Sequence, residues 1–247
     1  QYHTEVLRET HFPNVFAMPE PADFSRHEVA RFLGTDNDAP IEKVHTAFKL
    51  LKKGQNIGSA LSLLLDSESR SRLLQSLKAD PGVSLDLSDE MSWMRMQPFA
   101  EVAMVLSEYY PAVVANPPYM GQKNMNAELA TYLKTHYPRS KSDLFAVFME
   151  VSRNRNHERG LMGMINQQSW MFLKAYEQLR EFTLNNSTIK SMLHLGPRLF
   201  DELSGEVVQS TAFIQKQIAP EDYSGSYYRL IDYRSSKKKR EKYLERS

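Results

Sequence analysis

Ala112-Val113-Val114-Ala115-Asn116-Pro117-Pro118-Tyr119 is the stretch on which the reading of this chain turns. Its first four residues are short, apolar and partly β-branched, which predicts a buried strand. The next four cannot continue that strand. Proline has no N–H to give to a ladder, and Asn favours turns. The chain therefore leaves a strand and enters a stiff polar loop. Sheets with helices on their faces bind ligands at that place, outside the carboxyl ends of the strands. A Pro-rich loop that merely exits a strand is the plain alternative. It accounts for a polar loop, but not for this order of residues at this position.

The residue types suit a specific chemistry. An exocyclic amine on a purine, or an amide, is a poor nucleophile because its lone pair is delocalised. Two acceptors aimed at its two N–H bonds favour the charge that builds on nitrogen as it attacks. The Asn116 side-chain carbonyl supplies one acceptor and the Pro117 main-chain carbonyl the other. Pro117 and Pro118 fix φ and stiffen the loop, so that neither acceptor has to be ordered during the reaction. Tyr119 offers a face to a planar group, and stacking a base on such a face is worth about 1–3 kcal/mol.

Working outward, residues 1–24 hold prolines and no periodic apolar pattern, and read as extended loop. From Ser25 the pattern is helical. Segments 26–33 and 41–53 stop at Gly34 and Gly54, 57–65 and 67–78 follow, and Pro81-Gly82 breaks the run. A long helix is expected from Ser88 to about Tyr109, with Asp89 and Glu90 in its first turn. Its stripe of Met91, Trp93, Met94, Met96, Phe99 and Met104 reads as core packing. After the opening strand the pattern predicts helices over 126–137 and 142–158, a strand over 161–166 and a helix over 173–185. Strands follow over 189–195, 207–217 and 227–231. Alternating strands and helices give an α/β fold around a mostly parallel sheet. A doubly wound sheet usually starts with a Gly-rich turn, and no G-x-G turn occurs here. The expected fold is thus the C-terminal half of a Rossmann-like sheet preceded by a helical segment. It divides into a loop and helical part (1–84), a part bearing the loop (85–235) and a basic tail (236–247).

Composition sets outer limits. The 247 residues carry 31 Lys+Arg against 30 Asp+Glu, so contact with nucleic acid has to come from local patches. There is no cysteine, which excludes disulfides, thiolate metal sites and cysteine nucleophiles, and suits a cytoplasmic protein. No metal site is expected, because the seven histidines are scattered and none forms an H-x-x-x-H pair. No apolar run is long enough to span a membrane, and the N-terminus is not a signal peptide. A start without Met and an abrupt basic ending suggest a piece of something longer. The run from Lys237 to Arg240 reads either as a solvated helix face or as a phosphate-contacting approach to DNA. Lys123, Arg139 and Lys141 carry the same two readings, and His194 reads as a core or rim residue.

The Asn-Pro-Pro-Tyr loop resembles that of the amino-methylating methyltransferases that use S-adenosylmethionine. Ser142 to Phe148 is similar to the helix start that lines their cofactor pocket. The strings Trp93 to Leu106, Gly121 to Leu129, Gln168 to Leu173 and His194 to Arg198 resemble one branch, the adenine-specific DNA methyltransferases of the BREX phage-defence system, PglX type. The likeness is strongest over 85–235. It implies methyl transfer from S-adenosylmethionine to the exocyclic amine of a flipped adenine, with Asn116, Pro117, Pro118 and Tyr119 catalytic. It further implies cofactor contact through Asp143, Leu144, Phe145 and Phe148, and substrate contact through Lys123, Trp170 and Val208. The family's Gly-rich cofactor loop and ribose-binding acid precede this region and are not in the chain. The implied partners are double-stranded DNA, the other half of the methyltransferase, a target-recognition domain and other BREX proteins. Methylation of RNA or of a protein glutamine, or a DNA- or partner-binding fragment without catalysis, are the alternatives.

Overall fold

The computed structural model describes residues 14–79, 87–199, 209–219 and 223–245. The chain forms two units, one ending at Leu106 and the other beginning at Ser107.

The first unit is helical. Helix α1 (Arg26–Leu33) opens on a capping box between Ser25 and Glu28 and closes on Gly34, whose φ of 57° is left-handed. Asn37 caps α2 (Asp38–Leu51) and Asp66 caps α3 (Ser67–Lys78), each with its side-chain oxygen. Helix α4 (Leu87–Leu106) contains Pro98 and closes the unit. Aromatic edges knit the interior: Phe24 meets Phe99 at 5.0 Å and 87°, and Phe32 meets Trp93 at 5.8 Å.

Two expectations fail here. The helix predicted over 57–65 is only a turn at Gly54–Ile57 and a 3₁₀ turn at Gly58–Ala60, followed by extended chain. Leu61 and Leu63 are buried while Leu64 is 81% exposed, a period of two that a strand-like segment imposes. The Met stripe of α4 is also only partly core: Trp93, Met96 and Phe99 are buried, but Met91 and Met94 are more than half exposed.

The second unit holds a five-stranded sheet. Strand β1 (Tyr110–Ala115) is followed by α5 (Ala127–His136), α6 (Leu144–Asn154), β2 (Asn156–Gln167), α7 (Glu177–Asn186), β3 (Thr188–Gly196), β4 (Ser210–Lys216), β5 (Ser226–Arg229) and α8 (Ser236–Leu244). The strand order is β1-β2-β4-β3-β5. The sheet is not mostly parallel. β1/β2 and β3/β5 are parallel, but β4 turns back between β2 and β3 and runs antiparallel to both.

Strand β2 starts earlier than its apolar run suggests, at Asn156, and α6 stops at Asn154 instead of reaching Glu158. The cause is β1: Tyr110 N–H donates to the Arg155 carbonyl at 2.7 Å, and Tyr110 registers with Asn156. Between that pair and the next, Ala112 with Leu161, the register shifts, so the exposed polar stretch from His157 to Arg159 bulges out of the ladder. The start of the strand predicted over 207–217 lies outside the described residues, and β5 is shifted slightly upstream of its expected place.

Helices α6 and α7 cover one face of the sheet. Phe145, Met149, Met162, Met164, Leu179, Met192 and Phe213 form its core. The opposite face carries an apolar groove of about 460 Å³ lined by Val114, Gly163, Leu193, Ala212, Ile214 and Tyr228, among others. Strand β1 is an edge strand, and its Val114 is 84% exposed on that side.

Candidate active site

The Asn116–Tyr119 loop leaves β1 directly, where Ala115 registers with Met164 of β2. Its residues divide cleanly by exposure. Pro117 is buried and anchors the loop, whereas Asn116 and Pro118 are exposed. Tyr119 keeps 36% of its surface exposed and presents its ring to the edge of Phe145 at 6.0 Å and 86°. Burial of the rest of the ring pushes its phenol above the usual range; the nearby Ser210 hydroxyl works against that rise and the Asp143 carboxylate adds to it.

After Tyr119 the loop runs back along the start of α6. Asp143 caps α6: its Oδ1 accepts Phe145 N–H at 3.2 Å and Met120 N–H at 3.0 Å. Leu144 N–H donates to the Met120 carbonyl at 3.1 Å, and Gln122 N–H to the Ser142 carbonyl at 3.0 Å. Burial raises the Asp143 carboxyl, while the backbone donors around it act in the opposite direction.

The other residues singled out in the sequence fall into distinct settings. Asp143 and Phe148 are half-buried, but Leu144 and Phe145 are buried in the core behind the loop. Lys123 is exposed in a 3₁₀ turn shortly after Tyr119. Trp170 is not on the rim. It is 3% exposed, donates from its indole to Asn166 Oδ1 at 3.1 Å and packs against Phe213 at 5.3 Å. Val208 lies outside the described residues.

Two of the cations are structural. Arg139 pairs with buried Glu150 at 3.0 Å and lies over the Phe182 ring at 3.9 Å. Lys239, within the basic run, is buried and donates to two backbone carbonyls. Lys141 is half-buried, and Lys237 and Lys238 are solvent-facing.

Sequence reasoning missed a polar chain on the same rim. β4 begins where β2 ends, with Gln167 opposite Ser210, and Gln168 N–H donates to the Gln209 carbonyl at 2.8 Å. The Gln168 side chain donates to that of Gln209 and, through Oε1, meets His194 Nε2 at 2.5 Å. Phe172, 59% exposed, packs beside His194 at 5.8 Å. Burial, reinforced by Arg229 and Lys239, lowers the His194 imidazole below its usual range, and Asp232 partly offsets this. Three lone residues far apart in sequence leave no local pattern, so only the quoted strings around Gln168 and His194 hinted at them. Among the described residues there is no cluster of His, Cys, Asp and Glu able to hold a metal ion.

A family model, that of the Eco57I restriction-modification methylases, matches residues 45–200, which include the whole Asn116–Tyr119 loop and α6. The chain belongs to this family. Among its relatives, the adenine-specific methyltransferase PglX of Lacticaseibacillus casei is 36% identical over 94% of this chain, and the adenine-specific methyltransferase BrxX of Escherichia coli O9:H4 is 36% identical over 84%. The chain spans only 19% and 17% of those two proteins. A solved structure of a nuclease-deletion mutant of the Type ISP enzyme LlaGI with a DNA substrate mimic aligns over 99% of this chain and 30% of its own length, at 15% identity and a TM-score of 0.45. In this Eco57I-family chain, β1, the loop after it, β2 and β3 all fall inside the matched region, while β4 and β5 lie beyond it.

Proposed function

We propose that this chain carries the base-accepting part of an adenine-specific DNA methyltransferase of the BREX type. The observation that carries the proposal is the Asn116–Tyr119 loop at the carboxyl end of β1, with Asn116 and part of Tyr119 open to solvent while Pro117 is packed beneath. Membership of a methylase family and the naming of two relatives as adenine-specific methyltransferases support it.

In this reading Asn116 Oδ1 and the Pro117 carbonyl accept the two N–H bonds of the adenine exocyclic amine. Pro117 and Pro118 fix the loop backbone, so the Pro117 carbonyl meets the charge developing on that nitrogen as an oriented dipole, with Asn116 Oδ1 beside it. Tyr119 stacks on the extruded base, which helps to offset the few kcal/mol that unstacking costs. Lys123, which is exposed, meets a phosphate in this reading, a contact that positions DNA without reading it. S-adenosylmethionine supplies the electrophilic methyl group on its sulfonium. The residues present fit one wall of its site: Phe148 keeps accessible surface and would hold it, with Leu144 and Phe145 as the buried backing, while a contact from Asp143 is implied by the family resemblance alone.

The remaining walls, a target-recognition domain and the strand neighbour of β1 belong to the other parts of the enzyme. An exposed edge strand and an open apolar sheet face are what half of such a sheet leaves. Double-stranded DNA is the substrate, with other BREX proteins as further partners and the cytoplasm as the compartment.

The test is methyl transfer by the full methyltransferase that contains this chain, using duplex DNA and mass spectrometry of the nucleosides. N6-methyladenine should form, and Asn116→Ala should slow it by about 10²–10³. Transfer to RNA or glutamine instead, or an Asn116→Ala variant that turns over like the parent, overturns the proposal.

A further inference from the structure

We propose that Asp143 is a positioning residue that sets the place of Tyr119 by holding the next residue, Met120. The inference rests on the reading above only for what the loop does; the holding itself stands on geometry. The two sides of the loop are stiffened differently. On the side approached from β1, Pro117 and Pro118 fix the backbone covalently. On the far side there is no proline, and Met120 is held by hydrogen bonds alone. Asp143 Oδ1 accepts its N–H at 3.0 Å, and Leu144 N–H donates to its carbonyl at 3.1 Å. Gly121 and Asp143 then form an antiparallel bridge, which Gln122 N–H and the Ser142 carbonyl extend at 3.0 Å.

A helix cap alone does not require an aspartate, since Ser, Thr and Asn serve as well. What is particular here is that one oxygen serves two masters. Oδ1 takes both the Phe145 N–H of α6 and the Met120 N–H of the loop. Phe145, two residues further on, touches the Tyr119 ring edge-on at 6.0 Å and rests in turn on Tyr176 at 5.7 Å. The backbone after Tyr119 and the ring of Tyr119 are therefore both fixed to the first turn of α6. One side-chain oxygen can take both bonds because it carries two lone pairs, in a carboxylate or a side-chain amide alike. This role differs from the cofactor contact that the family resemblance implies for Asp143, and the two make opposite predictions.

Two substitutions separate them. Asp143→Asn keeps an acceptor oxygen of the same reach and removes only the charge. Asp143→Ser keeps a competent helix cap, so α6 should form, but its hydroxyl is too short to serve Met120 as well. The first measurement is amide hydrogen exchange at Met120 in the 247-residue chain, which needs no activity. Asp143→Ser should lose at least about tenfold in protection there with α6 amides unchanged, and Asp143→Asn should stay near the parent. The second is steady-state methylation by the full enzyme. Asp143→Ser should lower kcat by about 10–100-fold, the scale of a misplaced reacting group, with the KM for S-adenosylmethionine unchanged, and Asp143→Asn should restore most of the rate. Unchanged Met120 exchange in Asp143→Ser overturns the inference. So does an Asp143→Asn variant that is as slow as Asp143→Ser with a raised cofactor KM, which would make the carboxylate a cofactor ligand. A parent enzyme that transfers no methyl group sinks the functional reading, while the exchange measurement still decides the role of Asp143.

Discussion

Lys239 donates from Nζ to the carbonyl oxygen of Leu195 at 2.6 Å and thereby ties α8 to the end of β3. A second bond, to the Leu230 carbonyl at 3.1 Å, ties the same ammonium to the chain just after β5. The most buried lysine of the basic run is thus a strut between two strand ends. Removing it leaves two carbonyls without their donor, and an unsatisfied buried acceptor costs about 1–3 kcal/mol. Lys239→Met, which keeps the aliphatic stem, should destabilise the second unit by about 2–3 kcal/mol in urea titration. Lys238→Met, on the exposed side, should leave the midpoint where it is.

Acid should loosen the same rim through His194. In the folded chain burial, then Arg229 and Lys239, disfavour its protonation, so its folded-state value lies below the ordinary 6.5. The unfolded chain therefore binds the proton more readily. The contribution of His194 to stability is fully present above pH 6.5 and is lost as the pH falls through the folded-state value. Thermal melts between pH 5 and 8 should show this acid-side loss, and His194→Gln should flatten it. An identical pH profile in the variant would show that the imidazole titrates as freely folded as unfolded.

Tyr119→Ala should weaken capture of the flipped base more than binding of DNA. Phosphate contacts form before extrusion and stacking only after it, with about 1–3 kcal/mol at stake per base. A 2-aminopurine at the target position should give a diminished flipping signal while the salt dependence of binding stays the same. An unaltered signal would confine the ring to packing against Phe145.

The 247 residues alone should bind S-adenosylmethionine weakly. In the proposed reading this chain supplies one wall of the site, and each lost polar contact of about 1.4 kcal/mol is a tenfold loss of affinity. Isothermal titration should return millimolar binding or none; micromolar binding would mean that the site is complete within this chain.

How much of this was legible depends on whether a feature is local. The Asn116–Tyr119 loop and the strand ahead of it are written in consecutive residues, as are the helix starts after Ser25 and near Asn126, although β1 is an exposed edge and not the buried strand its apolar run predicts. The reversed direction of β4 was not legible, because strand direction depends on the partner chosen and not on the apolar run. Nor was the early start of β2, where Asn156 is recruited by Tyr110 across the sheet. Trp170 illustrates the limit for site residues. Its place beside a suggestive string pointed to the substrate, but its indole is spent on Asn166 inside the core. The Gln168–Gln209–His194 chain was out of reach for the same reason in reverse, since it exists only once three strand ends meet.

The pairing of β1 with β2 also bears on how the molecule gains and loses competence. Ala115 and Met164 are far apart in sequence, with α5 and α6 between them. The β3–β4 and β3–β5 pairs join segments that lie closer together along the chain, while the β2–β4 pair is as non-local as β1–β2. Non-local pairings pay their loop-closure entropy before any contact rewards them, so they form late. In the isolated 247 residues β1 is bonded on one side only, as is β5 at the opposite edge, whereas β2, β3 and β4 are held on both sides. In that isolated chain the loop after β1 therefore opens before the central strands do, and amide protection along β1 should fade on warming while β4 still holds, whereas in the full enzyme the proposed strand neighbour of β1 would close that gap.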